Sequence, residues 1–108
     1  MPLPEGTKIN IVEFFVLPKT LQPTVRMTFD VEIPVCANAG DVGEDTRQRR
    51  FQTDVVVPGA SDPVTEEQRN QALSDGWDQV ESQVLTWCSA CSVCPVGKAF
   101  DPTSKALA

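Results

Sequence analysis

The sequence contains neither histidine nor tyrosine, and this absence excludes several kinds of site before any motif is considered. Without histidine there is no imidazole general base, no serine–histidine triad and no histidine ligand for a metal ion. No apolar run approaches the roughly 18 residues of a membrane-spanning helix, and the first residues lack the basic and then apolar layout of a signal peptide. We therefore expect no membrane association and no secretion through a signal peptide.

Positive charge is also scarce. Nine basic residues stand against fifteen acidic ones, which gives a net charge of −6. Because nucleic-acid binding needs a basic face that displaces counterions, we expect no nucleic-acid partner. Arg47, Arg49 and Arg50 do cluster, but they directly follow a run that contains Asp41, Glu44 and Asp45. The pattern favours a solvated loop whose charges compensate one another, and the alternative is a contact with an acidic partner.

The length of 108 residues predicts a single domain, residues 1–108. A hydrophobic fraction of 41% is typical of a soluble globular protein. The chain has no phosphate-binding glycine loop and no nucleophile elbow, so we expect a protein that is not an enzyme and needs no cofactor. The carboxylates that could pair for catalysis are scattered along a predicted helix, where charges usually form the solvated side. They are Glu66, Glu67, Asp75, Asp78 and Glu81.

Residues 24–35 carry the clearest signal of secondary structure. Apolar side chains alternate strictly with polar ones from Thr24 to Val35, which predicts a strand with one buried and one wet face. Pro34 has no backbone donor, so this end of the strand should lie at an edge or leave the sheet.

Two further strands are predicted, at about 8–17 and 50–57. In the first, the alternation breaks near Ile11, which indicates a bulge. The polar segment from Ala37 to Arg49 is predicted to be a long loop.

A helix is predicted over about 63–93. Thr65 and Gln68 fit a capping box, and Pro95 disfavours helical geometry beyond that range. Gly76 marks a point where the helix could kink or restart. The apolar stripe of this helix recurs at spacings of three and four. Its members are Leu73, Trp77, Val80 and Val84.

These elements predict an α+β fold, in which a small antiparallel three-stranded meander packs against one C-terminal amphipathic helix. Extended arms, residues 1–7 and 95–108, flank this unit. The first strand holds more apolar surface than one helix covers, so either another subunit covers the excess or the two arms fold back over it. The residues concerned are Val12, Phe14, Phe15 and Leu17.

Four cysteines, Cys36, Cys88, Cys91 and Cys94, are the chemically most distinctive feature. They are enough for a tetrahedral thiolate site that holds Zn²⁺ or an Fe–S cluster. They also allow a disulfide between Cys36 and one of the others. Such a disulfide needs an oxidising environment, which a particle released by cell lysis would meet. The third alternative is a set of buried free thiols. We favour the disulfide.

The run from Cys88 to Cys94 resembles part of the bacterial ferredoxin signature, in which Cys-x2-Cys-x2-Cys binds an Fe–S cluster. The resemblance covers only these residues. The continuation to a fourth cysteine is missing, and the proline follows the third cysteine, as Pro95, instead of the fourth. The resemblance therefore assigns no family.

The absence of catalytic patterns and the surplus apolar surface predict a structural protein that works inside a larger assembly, with copies of itself or other subunits as partners. A phage virion component, such as a capsid decoration or tail accessory protein, is the specific form that size and profile favour. The alternative is a small thiolate metal-binding module built on the four cysteines. Elemental analysis separates the two.

Overall fold

The computed structural model describes residues 3–17, 21–36, 38, 45–60, 63–91, 93–103 and 106–107. Its elements are β1 (Lys8–Val16), β2 (Thr24–Val35), β3 (Asp45–Val56), α1 (Glu66–Cys91), β4 (Phe100–Asp101) and β5 (Ala106–Leu107). The first three strands form an antiparallel sheet in the order β1-β2-β3, and β4 pairs with β5. The predicted α+β class, a three-stranded meander followed by one helix, is confirmed.

The central strand β2 supplies five buried side chains to the core. Its alternate side chains are buried on the face that we call the inner face. They are Val25, Met27, Phe29, Val31 and Ile33. The pairing with β1 stops at Glu32, whereas the pairing with β3 continues to Val35. Pro34 therefore lies beyond the reach of β1, where its missing donor costs no hydrogen bond to that strand.

The bulge predicted in β1 is confirmed. The register with β2 shifts between Ile11 and Glu13, which leaves Val12 as the extra residue. Ile11 pairs with Phe29 on one side of the bulge and Phe14 pairs with Met27 on the other. One extra residue reverses the alternation of the side chains. Ile9 and Ile11 before the bulge therefore share the inner face with Phe14 and Val16 after it.

The predicted start of the third strand, at about residue 50, is wrong. β3 begins at Asp45 and pairs without interruption from there to Val56, so residues 45–49 of the predicted loop are strand. Their side chains are exposed on both faces, which removes the apolar alternation that marks a strand in a sequence. Of the remaining predicted loop, 37–44, only Asn38 lies within the described residues.

The helix is shorter than predicted at both ends. Gln68 N donates to Thr65 Oγ1 at 3.1 Å and Thr65 N donates to Gln68 Oε1 at 3.0 Å, so the predicted capping box is confirmed. The helix consequently begins at Glu66, three residues after the predicted start. It ends at Cys91, because Pro95 disfavours helical geometry at Cys94.

The predicted apolar stripe of α1 faces the sheet, and the helix continues through Gly76 without a break. A Cβ at Gly76 would overlap Met27 Sδ and would lie 2.9 Å from Met27 Cε. The glycine therefore allows the helix to approach β2 closely. The buried residues of the helix extend the predicted stripe to the first cysteine of the cluster. They are Ala72, Leu73, Gly76, Trp77, Val80, Val84 and Cys88.

Two different elements cover the inner face. The helix packs against β3 and, less extensively, β2. Over β1 the cover is Phe100 of the C-terminal arm, which borders a small cavity with Ile9 and Ile11. The Phe100 ring packs edge-on against Trp77 at 4.8 Å, and Trp77 packs in the same way against Phe29 at 5.4 Å. Among the described residues the arm thus reaches Ile9 and Ile11, whereas Val12 and Phe15 of the predicted surplus stay exposed. Cover of that surplus by another subunit stays a prediction.

Candidate functional site

The cysteine cluster lies where the helix ends. Cys36, directly after β2, forms a disulfide with Cys94, and their Cα atoms are 5.1 Å apart. The predicted disulfide between Cys36 and one member of the cluster is therefore confirmed. The sequence separation is 58 residues, and closing a loop of this size stabilises a protein by about 4 kcal/mol in the chain-entropy model.

The other two cysteines are free thiols. Cys88 is buried in the helical stripe, and burial, with a smaller contribution from Cys91, raises the pKa of its thiol to about 11. A thiol with such a pKa is almost wholly protonated at neutral pH and is a poor nucleophile. Cys91 is half-buried against the same core. The two thiols therefore act as packing residues in this state.

The four-thiolate metal site stays a prediction. Two of its four sulfurs are joined to each other here, so a metal ion would have to bind the reduced protein. Among the described residues, no three histidine, cysteine, aspartate or glutamate side chains form a group that could hold a metal ion.

The disulfide also fastens the two terminal arms. Leu3 N donates to Lys98 O at 3.2 Å and Glu5 N donates to Pro95 O at 2.7 Å, so the arms run antiparallel beside Cys94. A Cβ at Gly97 would lie 2.9 Å from the Cα of Glu5, which only glycine tolerates without a shift of the backbone. The described parts of both arms thus have partners within the chain, and their order does not require a neighbouring molecule.

The face of the sheet turned away from the helix, the outer face, is polar along its middle. Arg26 forms a bidentate ion pair with Asp54 at 2.9 and 3.1 Å. The hydrogen bonds and charge of the Arg26 guanidinium lower the pKa of Asp54, and the same pair raises the pKa of Arg26. Next to this pair, Thr28 donates to Glu13 at 3.1 Å. The middle of the outer face therefore satisfies its own polar groups.

One end of the outer face is apolar instead. The register places Phe15 of β1 and Val56 of β3 on this face in adjacent rows, and Leu21 lies in the connection between β1 and β2. Phe15 is 43% exposed, Val56 is 49% exposed and Leu21 is fully exposed. We call these three residues the apolar end.

The three clustered arginines lie on β3 and not in a loop. Arg47 and Arg49 face the inner side, and Arg50 faces the outer side opposite Asp30. The Asp30 carboxylate accepts hydrogen bonds from the Gln48 amide at 2.6 and 2.8 Å, and not from Arg50. Within the described residues none of the three arginines forms an ion pair. Asp41 and Glu44, two of the carboxylates predicted to compensate their charge, lie outside the described residues, so the compensation stays a prediction.

A groove runs between this strand and the last turns of the helix. Its volume is about 450 Å³, and it is open to solvent along one side. Trp87 forms its apolar wall and packs edge-on against Phe51 at 5.8 Å, while Arg49 lies over the same Phe51 ring at 5.0 Å. The lining residues are Arg49, Ser82, Gln83, Thr86, Trp87 and Ala90.

Two of the five helical carboxylates, Asp75 and Glu81, have local hydrogen-bond partners. Asp75 accepts a hydrogen bond from Gln71 at 2.9 Å, and Glu81 accepts one from the indole of Trp77 at 2.9 Å. This arrangement fits the solvated helix side that the sequence predicts. Within the described residues no helix is long and apolar enough to cross a membrane.

Comparison of the chain with protein-family models, curated proteins and solved structures finds no match. The arguments for function therefore come from the surface itself.

Sequence reasoning missed two of these surfaces. It found the surplus of apolar residues in β1 but could not tell that Phe14 packs against the core while Phe15 faces solvent, because the bulge position decides which residue faces which side. It also missed the groove at Trp87, since that groove exists only where the helix passes the edge of β3.

Proposed function

We propose that this protein is a non-enzymatic structural subunit that associates with further copies of itself within a larger assembly. The observation that carries the proposal is the apolar end, whose Phe15, Leu21 and Val56 are exposed at one end of the sheet. Exposed apolar groups that share one end of a sheet mark an interaction surface more often than isolated ones do.

The geometry of the apolar end suits contact between identical copies. β1 is an edge strand of the described sheet, and Phe15 projects beside that edge. Burying such a side chain gains about 25 cal/mol per Å² of apolar area removed from water. The Arg26–Asp54 ion pair adjoins the patch and supplies polar groups that fix the orientation of a partner.

A self-complementary patch of this kind pairs two copies about a two-fold axis. Each copy then contributes Phe15 to the contact of the other. A virion component, either a capsid decoration or a tail accessory protein, is the specific form of this proposal. Small size and the lack of a catalytic pattern support it.

Light scattering on the isolated chain tests the proposal. We expect a dimer or larger species at tens of micromolar, roughly the range in which modest interfaces form. Phe15→Ser and Val56→Ser should each shift the chain toward monomer, because they remove apolar area from the proposed contact.

Val96→Ser is the matched control. Val96 is 68% exposed but lies on the C-terminal arm, away from the apolar end, so its replacement should leave the mass unchanged. A wild-type chain that stays monomeric at these concentrations would overturn the proposal. Equal effects of Val96→Ser and Phe15→Ser would do the same.

A further inference from the structure

The first half of β3 is an open strand edge. In the sheet order β1-β2-β3, this strand pairs with β2 on one side, and no described strand pairs with its other side. Every residue from Asp45 to Arg50 is exposed. An ordered edge of this kind offers its backbone donors and acceptors to an added strand.

Charge distinguishes this edge from the rest of the molecule. The chain carries a net charge of −6, yet three arginines lie within four residues here. Arg47 donates to the neighbouring Thr46 carbonyl at 3.3 Å, and Arg49 lies over the Phe51 ring. In the part of the chain that the structure describes, no carboxylate pairs with these guanidinium groups, and a guanidinium is the side chain best suited to bind a carboxylate through two hydrogen bonds.

The groove beside Trp87 adds an apolar contact at the end of this edge. Residues that pair across two strands share a face, so a strand added to β3 would direct its side chain opposite Phe51 toward the helix side, where the groove lies. An apolar side chain at that position could pack against the Trp87 ring.

We propose that the edge of β3 binds an extended acidic peptide segment of a partner protein by strand addition, with carboxylates facing Arg47, Arg49 and Arg50 and an apolar side chain in the groove at Trp87. The inference rests on the proposed function, because it names a second surface through which the subunit joins its assembly. Backbone pairing supplies affinity, and the arginines select the acidic sequence.

A peptide fits this surface better than a nucleic acid does. The exposed backbone of β3 can pair with another peptide backbone but not with a sugar–phosphate chain. Three arginines are also few for a phosphate-binding surface.

The experiment uses a fluorescent eight-residue probe, Thr-Leu-Glu-Glu-Thr-Glu-Val-Thr. Paired antiparallel, it sets its leucine opposite Phe51 and its glutamates opposite Arg50, Arg49 and Arg47. We expect saturable binding to the full chain, at least ~10-fold weaker after Arg47→Gln with Arg49→Gln and weaker in higher salt. Lys8→Gln, which removes one exposed positive charge from the opposite edge strand, should bind the probe as the wild type does.

Two variant probes separate strand addition from simple charge attraction. Replacing the glutamates by glutamine should weaken binding at least ~10-fold. Replacing the central threonine by proline keeps every charge but interrupts backbone pairing, and it should weaken binding by a similar factor. Binding of the original probe should also slow amide hydrogen exchange at residues 45–50.

Three results would overturn the inference. They are no binding of the probe at about 1 mM, equal binding of the proline probe, and tighter binding of an oligothymidylate than of the peptide. Because Phe15 takes no part in this test, a failure here leaves the light-scattering result of the proposed function standing. A monomeric chain that still binds the probe would reject the self-association and keep the peptide site.

Discussion

The two edge strands of the sheet offer opposite chemistry to a partner. β1 has nine residues, a bulge and the exposed Phe15, whereas β3 has twelve residues in unbroken register and three exposed arginines. Any contact that removes an apolar edge from water is stabilising. A charged edge instead resists pairing with a second copy of itself and favours an acidic sequence. This difference in chemistry would keep the two proposed contacts of the sheet distinct.

The cover of the two edges differs as well. The inner side of the second half of β3 lies under the helix. On β1 the cover is divided: Arg69 of the helix lies over the Phe14 ring at 5.7 Å, whereas Phe100 borders Ile9 and Ile11 from an arm that the Cys36–Cys94 disulfide holds in place. Part of the cover of β1 therefore depends on a covalent link, and the cover of β3 does not.

Truncating Phe29, at the centre of the sheet, should have the largest effect on stability. Both edge strands should then unfold together. Phe29 is fully buried and pairs with Ile11 on β1 and with Phe51 on β3. We expect Phe29→Ala to lower the free energy of unfolding by about 3–5 kcal/mol, with both edges lost in one transition, as measured by urea denaturation.

Val12→Ala is the control for that measurement, because Val12 takes no part in the apolar end. The Val12 side chain is 41% exposed, so its truncation should cost less than about 1 kcal/mol. An unchanged midpoint for Phe29→Ala would contradict the strand assignment on which the whole sheet rests.

Breaking the disulfide should have the second-largest effect on stability and should affect the two edge strands differently. Cys36→Ala with Cys94→Ala should lower the free energy of unfolding by about 4 kcal/mol. Because Phe100 reaches β1 from the arm that Cys94 anchors, amide hydrogen exchange should accelerate more in β1 than in β3. Cys91→Ala, which removes a free thiol, is the control and should change neither pattern. Equal acceleration in both strands would show that the arm does not protect β1 separately.

The sequence predicts best where a local pattern has one physical cause. The strict alternation of β2 reflects one buried face, and the Thr65–Gln68 capping box is confirmed by reciprocal hydrogen bonds. The disulfide was predictable in part, since Cys36 ends β2 and the cysteine cluster ends the helix. That Cys94 and not Cys88 is the partner follows from burial of Cys88 in the helical stripe.

What the sequence could not predict depends on contacts between distant segments. Residues 45–49 form a strand because β2 continues opposite them. Their side chains are all polar, so the sequence shows no alternation that would indicate a strand there. Leu3 and Phe100 are lone apolar residues in polar arms, yet both enter the core. The surfaces on which the two proposals rest, the apolar end and the exposed edge of β3 with its three arginines, likewise arise from the pairing register, which the periodicity of the sequence does not reveal.

The smallest expected effect concerns Arg26 and Asp54, which couple the two edges because Arg26 lies on β2 between Phe15 and Asp54. The Arg26 guanidinium lowers the pKa of Asp54, so this pair stabilises the fold at pH values above the ordinary aspartate pKa. The contribution should disappear as the pH falls through the lowered pKa of Asp54. Both side chains are exposed, so the change in stability should be small.

An NMR titration of the Asp54 carboxyl measures the shift directly, and Arg26→Gln should return the pKa toward its usual range. The Thr28–Glu13 hydrogen bond in the next row is the internal control and should persist in that variant. If the pKa of Asp54 is the same in the wild type and in Arg26→Gln, the two charges do not interact in solution. Arg26 and Asp54 would then be two independent side chains beside the apolar end.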